Sequence, residues 1–302
     1  MKKILTRILS PLLQRLRGTK SKWPISQLIK GNMDLYESRH GYRFDIKNAK
    51  TFTEKLQWYK IYYDNGYLEK VVDKAFFKDY IKEKLGEGYT IPMYNVYSNI
   101  KELLADWDNL PEEFVLKSTV QSDGKFIEVI RNKSEVNKEE LKAEVANWFN
   151  PYNTLINSFC RAYYRAKPRV LAEQYMSQFN DQLYDYKFFC FNGKIECVYV
   201  ALDHFMDEDY PITFYDLDWN KLDVQYGKHK VGDAPKPKHW EEMKELAQKL
   251  SYGFPFIRVD FFDTEDRLYM AELTFYPGGG MTSYYPVSFN QKLGDLFILP
   301  QT

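Results

Sequence analysis

Apolar and polar positions follow two periods along this chain. Their order predicts a mixed architecture. Residues 71–86, VVDKAFFKDYIKEKLG, repeat at helical spacing and stop at Gly86, which predicts an amphipathic helix. Residues 91–98 predict the next strand. Residues 113–119 predict a strand that runs into the polar loop VQSDGK, with 127–130 as the returning strand and 138–149 as a helix. Further strands are expected over 169–176, 186–191 and 195–201. Asn192-Gly193 joins the last two and is the strongest short-range hairpin signal. Residues 239–250 read as helical. Residues 259–262 and 268–275 read as a hairpin around the polar break at 263–267. Residues 23–64 show weak periodicity and read as mostly helical, polar connecting structure. Strand runs interrupted by helices, with neighbouring hairpins, indicate an α+β class with largely antiparallel sheets.

Size and charge narrow the picture. A chain of 302 residues can build one large core or two smaller ones. Expected units are residues 1–22, a helical region at 23–90, and a main body at 91–302 divided near residue 172 (91–172 and 173–302). Lys plus Arg equals Asp plus Glu at 42 each, so no global basic field favours nucleic acid as a partner. Cys160, Cys190 and Cys197 form no CxxC pair. This argues against a zinc site or a disulfide framework and suits free thiols in the cytoplasm. Aromatic residues reach 17%, which suits either a β-rich core or the binding of sugars and flat rings.

No stretch has the 18 or so apolar residues that a membrane span needs. At the amino terminus, Ile4, Leu5, Ile8, Leu9, Leu12, Leu13 and Leu16 recur at helical spacing among Lys2, Lys3, Arg7, Arg15 and Arg17. Such a segment has the make-up of an interfacial anchor on the inner face of the cytoplasmic membrane. Docking of the same stripe on the body of the protein is the alternative reading, and Pro11 is positioned to end the helix early.

The richest chemistry lies in residues 256–281, FIRVDFFDTEDRLYMAELTFYPGGGM. Strand alternation groups Arg258 with Asp260 and Glu272 with Thr274. A turn centred near Asp266 then sets Asp260 opposite Glu272, and Arg258 opposite Thr274. Apposed carboxylates repel unless a cation lies between them, and a hard divalent ion such as Mg²⁺ is a natural candidate. The alternative is a solvated hairpin face on which Arg258 neutralises Asp260. On the metal reading, Asp260→Asn and Glu272→Gln should each abolish turnover and spare the fold.

These residues resemble the carboxy-terminal signature of the ATP-grasp superfamily, Arg-x-Asp, a hairpin, Glu-x-Asn and Pro-Gly. Here the pattern is carried by Arg258, Asp260, Glu272, Thr274, Pro277 and Gly278. The wider run FTEKLQW (52–58), DYKFFCFNGKI (185–195), FYDLDWN (214–220) and AELTFYPG (271–278) resembles the TupA-like branch of that superfamily. That branch is associated with bacterial surface polysaccharide and teichuronopeptide biosynthesis. The resemblance covers residues 48–300. It implies an ATP-grasp fold, with two α+β subdomains holding ATP between largely antiparallel sheets and a helical segment in front.

The resemblance also implies roles. Lys74 and Lys117 match the phosphate-binding lysines. The loop after Lys117 would close over the phosphates with Ser118 and Gly124, although it has one glycine where the superfamily has several. Glu173, Tyr175 and Met176 match the adenine hinge. Lys187, oriented by Asp185, matches the γ-phosphate contact. Arg258 would stabilise an acyl phosphate and the following oxyanion, and Asp260, Glu272 and Thr274 would hold Mg²⁺. Gly278, Gly279 and Gly280 would admit the substrate. The implied reaction is ATP-dependent ligation of an amine, such as an amino acid, to a uronic acid of a surface glycan or lipid-linked precursor. A kinase or transferase with a hydroxyl acceptor, and a noncatalytic glycan- or membrane-associated scaffold, are the alternatives.

Overall fold

The computed structural model describes residues 24–120, 126–150, 160, 162–163, 166–176, 184–201, 210–264 and 266–301. The basic amphipathic segment expected at residues 1–22 lies outside them. Among the described residues, no helix is long and apolar enough to cross a membrane.

Four α-helices come first among the described residues: α1 (Ile25–His40), α2 (Phe52–Tyr62), α3 (Leu68–Val71) and α4 (Lys74–Leu85). The single helix expected from residue 71 is thus interrupted. Asp73 leaves the helical conformation and caps α4, accepting from the amides of Ala75 and Phe76. Thr51 and Glu54 start α2 with a reciprocal capping box. Strand β1 (Met93–Tyr97), helix α5 (Ile100–Asp106), β2 (Phe114–Ser118), β3 (Ile127–Ile130), helix α6 (Lys138–Val145) and β4 (Val170–Gln174) follow. Their strands form an antiparallel sheet in the order β1-β4-β2-β3.

A second antiparallel sheet, in the order β10-β9-β5-β6-β7, takes β5 (Asp185–Phe191), β6 (Lys194–Ala201), β7 (Ile212–Tyr215), β9 (Ile257–Asp263) and β10 (Leu268–Thr274). Asn192 and Gly193, both at positive φ, make the expected tight turn between β5 and β6. Helix α7 (Trp240–Ser251) packs on this sheet, and β8 (Gln225–Tyr226) pairs with β11 (Tyr284–Tyr285) ahead of helix α8 (Val287–Leu296).

The sheets have separate cores. Trp107, Phe114, Leu141, Trp148 and Val170 fill the first. The second joins Leu28, Phe52, Tyr59 and Ile81 of the leading helices to Phe189, Phe256 and Phe297. The rings of Phe52 and Phe256 are 4.8 Å apart and edge-on, an arrangement that favours aromatic pairs. The helical region expected at 23–90 therefore shares its core with the second sheet. A small apolar group, Ile91, Met176, Phe262 and Tyr269, links the two sheets. Cys160, Cys190 and Cys197 are all buried.

Candidate active site

The alternation of β9 and β10 produces the register it predicts, with Glu272 opposite Asp260 and Thr274 opposite Arg258. A bulge between Met270 and Glu272 re-aims the Glu272 end of β10. On its other side β9 pairs with β5, which sets Lys187 opposite Asp260. The Arg258 guanidinium donates through Nε to Asp260 Oδ1 (2.7 Å) and through Nη2 to Asp260 Oδ2 (2.5 Å). It also donates to Thr274 Oγ1 and to the Tyr199 hydroxyl, each at 3.0 Å. Lys187 Nζ donates to Asp260 Oδ2 at 3.0 Å and pairs with Asp185.

Asp260 is fully buried. Burial pushes its carboxyl up, but Arg258 and then Lys187 outweigh that effect and hold it below the ordinary carboxylate value. The cations demanded by the apposed carboxylates are therefore side chains, and both close on Asp260. Thr274 Oγ1 is likewise engaged by Arg258. Glu272, partly exposed, keeps a carboxylate with no hydrogen bond among the described residues. Among the described residues, no group of three or more His, Cys, Asp or Glu side chains converges on one point. The donor set still fits a hard divalent ion, because such an ion needs only one or two carboxylates when phosphate oxygens and water complete its shell.

The facing wall comes from the first sheet and α4. Lys117, on β2, pairs with the Glu173 carboxylate at the end of β4. Lys78, on α4, reaches the same carboxylate at 2.8 Å and the Ile91 carbonyl at 2.6 Å. Burial would raise Glu173, but Lys117 and Lys78 hold it down at about 2. Both Glu173 oxygens thus face lysines, where an adenine contact is expected from the sequence. Asp73 accepts from Arg169 Nη2 at 3.0 Å, and the Lys74 amide donates to the Thr119 carbonyl at 2.7 Å, tying the start of α4 to the end of β2.

The Lys74 ammonium lies within electrostatic reach of Lys117 and Glu173 on one sheet and Glu272 on the other. Burial lowers its pKa against the pull of Glu272. Beside Lys117, the buried Ser118 hydroxyl has no partner among the described residues. Gly124 lies outside the described residues. Tyr175 sits under Arg131, 5.6 Å from its ring, and Met176 is buried in the apolar group between the sheets. Lysines close to one another beside a buried apolar group suit a polyphosphate attached to a flat ring.

Beyond β10, Pro277–Gly280 turns tightly with Gly278, Gly279 and Gly280 at φ +55°, +61° and +67°, a region that favours glycine. Gly278 is exposed and Gly280 buried, so the turn has an open side and a packed side.

Several of these residues escape the sequence reading. Lys78 follows Lys74 by one helical turn, a spacing that places both on one face and offers a signal for it. Tyr199 gives no such signal, since it is one of 25 tyrosines in the chain. Gln57 and Lys60, which support the glycine turn, sit in a segment of weak periodicity.

A family model described as TupA-like ATPgrasp matches residues 54–298. Among solved structures, the chain is similar to D-alanine-D-alanine ligase from Helicobacter pylori, at 17% identity and a TM-score of 0.43, over 76% of this chain and 61% of that one. It is also similar to D-alanine–D-alanine ligase from Bacillus anthracis, at 18% identity and a TM-score of 0.45, over 83% and 75%. A third is N5-carboxyaminoimidazole synthetase from Staphylococcus aureus complexed with ADP, at 16% identity and a TM-score of 0.39, over 76% and 51%. The chain thus spans less than two thirds of the H. pylori ligase. No curated protein matches it.

Proposed function

The chain belongs to the TupA-like ATP-grasp family, and from that premise we propose that it is an ATP- and Mg²⁺-dependent carboxylate–amine ligase. Its substrates on this reading are a uronic acid of a bacterial surface glycan, or of a lipid-linked precursor, and an amino acid or similar amine. The observation that carries the proposal is the packing of helix α4 on β10, which brings the Lys74 ammonium into interaction with Glu272 on one sheet and with Lys117 and Glu173 on the other. A triphosphate in that cleft would meet cations from one wall and an open carboxylate from the opposite wall.

The chemistry follows from charge. A substrate carboxylate oxygen attacks the γ-phosphorus while the bond to the β-phosphate oxygen breaks, giving an acyl phosphate and ADP. The amine nitrogen then attacks the acyl carbon, phosphate leaves with the bonding pair, and loss of a proton gives the amide. Phosphoryl transfer needs positioning and neutralisation of spread charge, which Lys74, Lys117 and Lys187 supply from fixed places. Glu272 would hold Mg²⁺, which would supply further neutralisation of the phosphate charge. Arg258, held rigidly by Asp260, Thr274 and Tyr199, would on this reading stabilise the carbonyl oxygen as it becomes an oxyanion. Met176 and its apolar neighbours would sandwich the base. Residues 2–17 would bring the enzyme to an anionic membrane surface, where each lysine or arginine adds roughly 1 kcal/mol.

The test is a balance of products. Protein incubated with Mg-ATP, a uronate and mixed amino acids should release ADP and phosphate in step with an amide detected by mass spectrometry. ADP release with phosphate transferred to a sugar hydroxyl would favour the kinase reading. Absence of nucleotide binding would favour the scaffold.

A further inference from the structure

Helix α2 is buried on every side, and its polar residues carry a pattern that the proposed reaction does not use. Gln57 Nε2 donates to the carbonyls of Gly279 and Gly280, each at 3.2 Å. Lys60 Nζ donates to the Gly279 carbonyl at 2.7 Å, and to Asn32 Oδ1 and Gln57 Oε1, each at 2.9 Å. From α1, His40 Nε2 lies 3.2 Å from the Gly280 carbonyl. The carbonyls of the glycine turn are thus drawn back into the leading helices. Gly280 permits this approach: a Cβ there would stand 3.0 Å from Leu56 Cβ and 3.1 Å from the Thr53 carbonyl, and would collide with Gln57 Nε2.

Lys60 is fully buried and its three acceptors are neutral. Buried cations ordinarily carry a carboxylate partner, because desolvation of an ammonium is expensive. Here the charge sits 3.9 Å from the point where a Gly279 side chain would begin, directly behind a turn whose other side is open. Arg258, by contrast, is neutralised by Asp260. Among the described residues, Lys60 is therefore a cation behind this turn with no hydrogen-bonded carboxylate to compensate its charge.

We propose that Lys60 is a positioning residue that, with Gln57, holds the Pro277–Gly280 turn in its left-handed form and gives it a fixed positive field, so that the turn selects an acceptor bearing a carboxylate. The proposal rests on the ligase reading, in which this turn receives substrate, and it assigns the source of selectivity to a residue more than 200 positions away in sequence.

The experiment compares D-glucuronate with its neutral isostere D-glucuronamide by calorimetry, on full-length protein saturated with a nonhydrolysable Mg-ATP analogue. Wild type should bind glucuronate tighter by roughly tenfold or more, the scale of one charge-assisted contact. Lys60→Gln, which keeps a donor without the charge, and Lys60→Met, which keeps neither, should lose that preference while binding the nucleotide analogue within about twofold of wild type. Hydrogen exchange in residues 277–281 should rise in Lys60→Met more than in Lys60→Gln. A merely structural role would move exchange and leave the glucuronate preference untouched, which overturns the proposal. Wild type that binds the nucleotide analogue without preferring glucuronate also overturns it, whether or not the variants fold, and leaves the nucleotide site standing. Wild type that binds no nucleotide overturns the ligase reading itself, and this inference with it.

Discussion

Replacing Asp260 by Asn should cost the protein much of its stability as well as its activity. Asp260 is fully buried and takes three hydrogen bonds from two cations, Arg258 and Lys187. Among the described residues, Asp185 is the only other carboxylate bonded to this pair. Two positive and two negative groups balance. Asn leaves two buried cations against one anion, and its amide hydrogens face N–H donors on at least one side. Removing one partner of a buried ion pair typically costs about 3–5 kcal/mol. Against a total stability of about 5–15 kcal/mol, that is a large share. Urea unfolding followed by tryptophan fluorescence measures it: with a slope of roughly 3 kcal/mol/M, the midpoint should fall by about 1–1.7 M. Glu272→Gln is the internal comparison. Its carboxylate is partly exposed and unbonded among the described residues, so stability should change by less than about 0.5 kcal/mol while turnover is lost. A loss below about 1 kcal/mol in Asp260→Asn would refute the network argument. The expectation from sequence that this substitution spares the fold is thereby revised. A pair read as metal ligands turns out to include the anchor of a buried ion cluster.

Two further substitutions probe the walls of the cleft. Burial opposes the Glu173 carboxylate, but Lys117 and Lys78 hold its folded pKa at about 2, below the ordinary 4.5. A depressed folded value contributes stability above the unfolded pKa that is lost as pH falls through the folded one, so wild type should lose this part between about pH 4.5 and 2. Glu173→Gln should flatten that section of a stability-versus-pH curve, and an unchanged slope would contradict the triad. Gly280→Ala should destabilise by about 1–3 kcal/mol and loosen residues 277–281 in hydrogen exchange, because the new methyl meets Leu56, Gln57 and Thr53 at a positive φ; a variant as stable as wild type would show that the turn can shift freely.

The second sheet was legible because alternation leaves little choice. Once residues 257–263 and 268–274 are strands, the polar break between them fixes Asp260 against Glu272, and the observed pairing follows. Asn192-Gly193 did the same for β5 and β6, through the positive φ that both residues adopt. The role of α2 was not legible. A helix buried on all faces has no apolar stripe to detect, and Thr53, Gln57 and Lys60 look like surface residues until the Gly279 and Gly280 carbonyls arrive from far along the chain. Asp73 was hidden for a related reason, since its capping bonds to α4 compete with a helical repeat that continues through it. Glu173 was placed at the right strand end, but its side-chain direction depends on Lys78, whose partners no local pattern reveals.

A nucleotide held between the two sheets should be visible by calorimetric titration with Mg-ATP. Wild type should bind with one site per chain. Lys117→Met should weaken that binding far more than Lys125→Met, because Lys117 lies near the end of a buried strand, paired with Glu173 and within electrostatic reach of Lys74. No heat from wild type, or a larger loss in Lys125→Met than in Lys117→Met, would contradict the account.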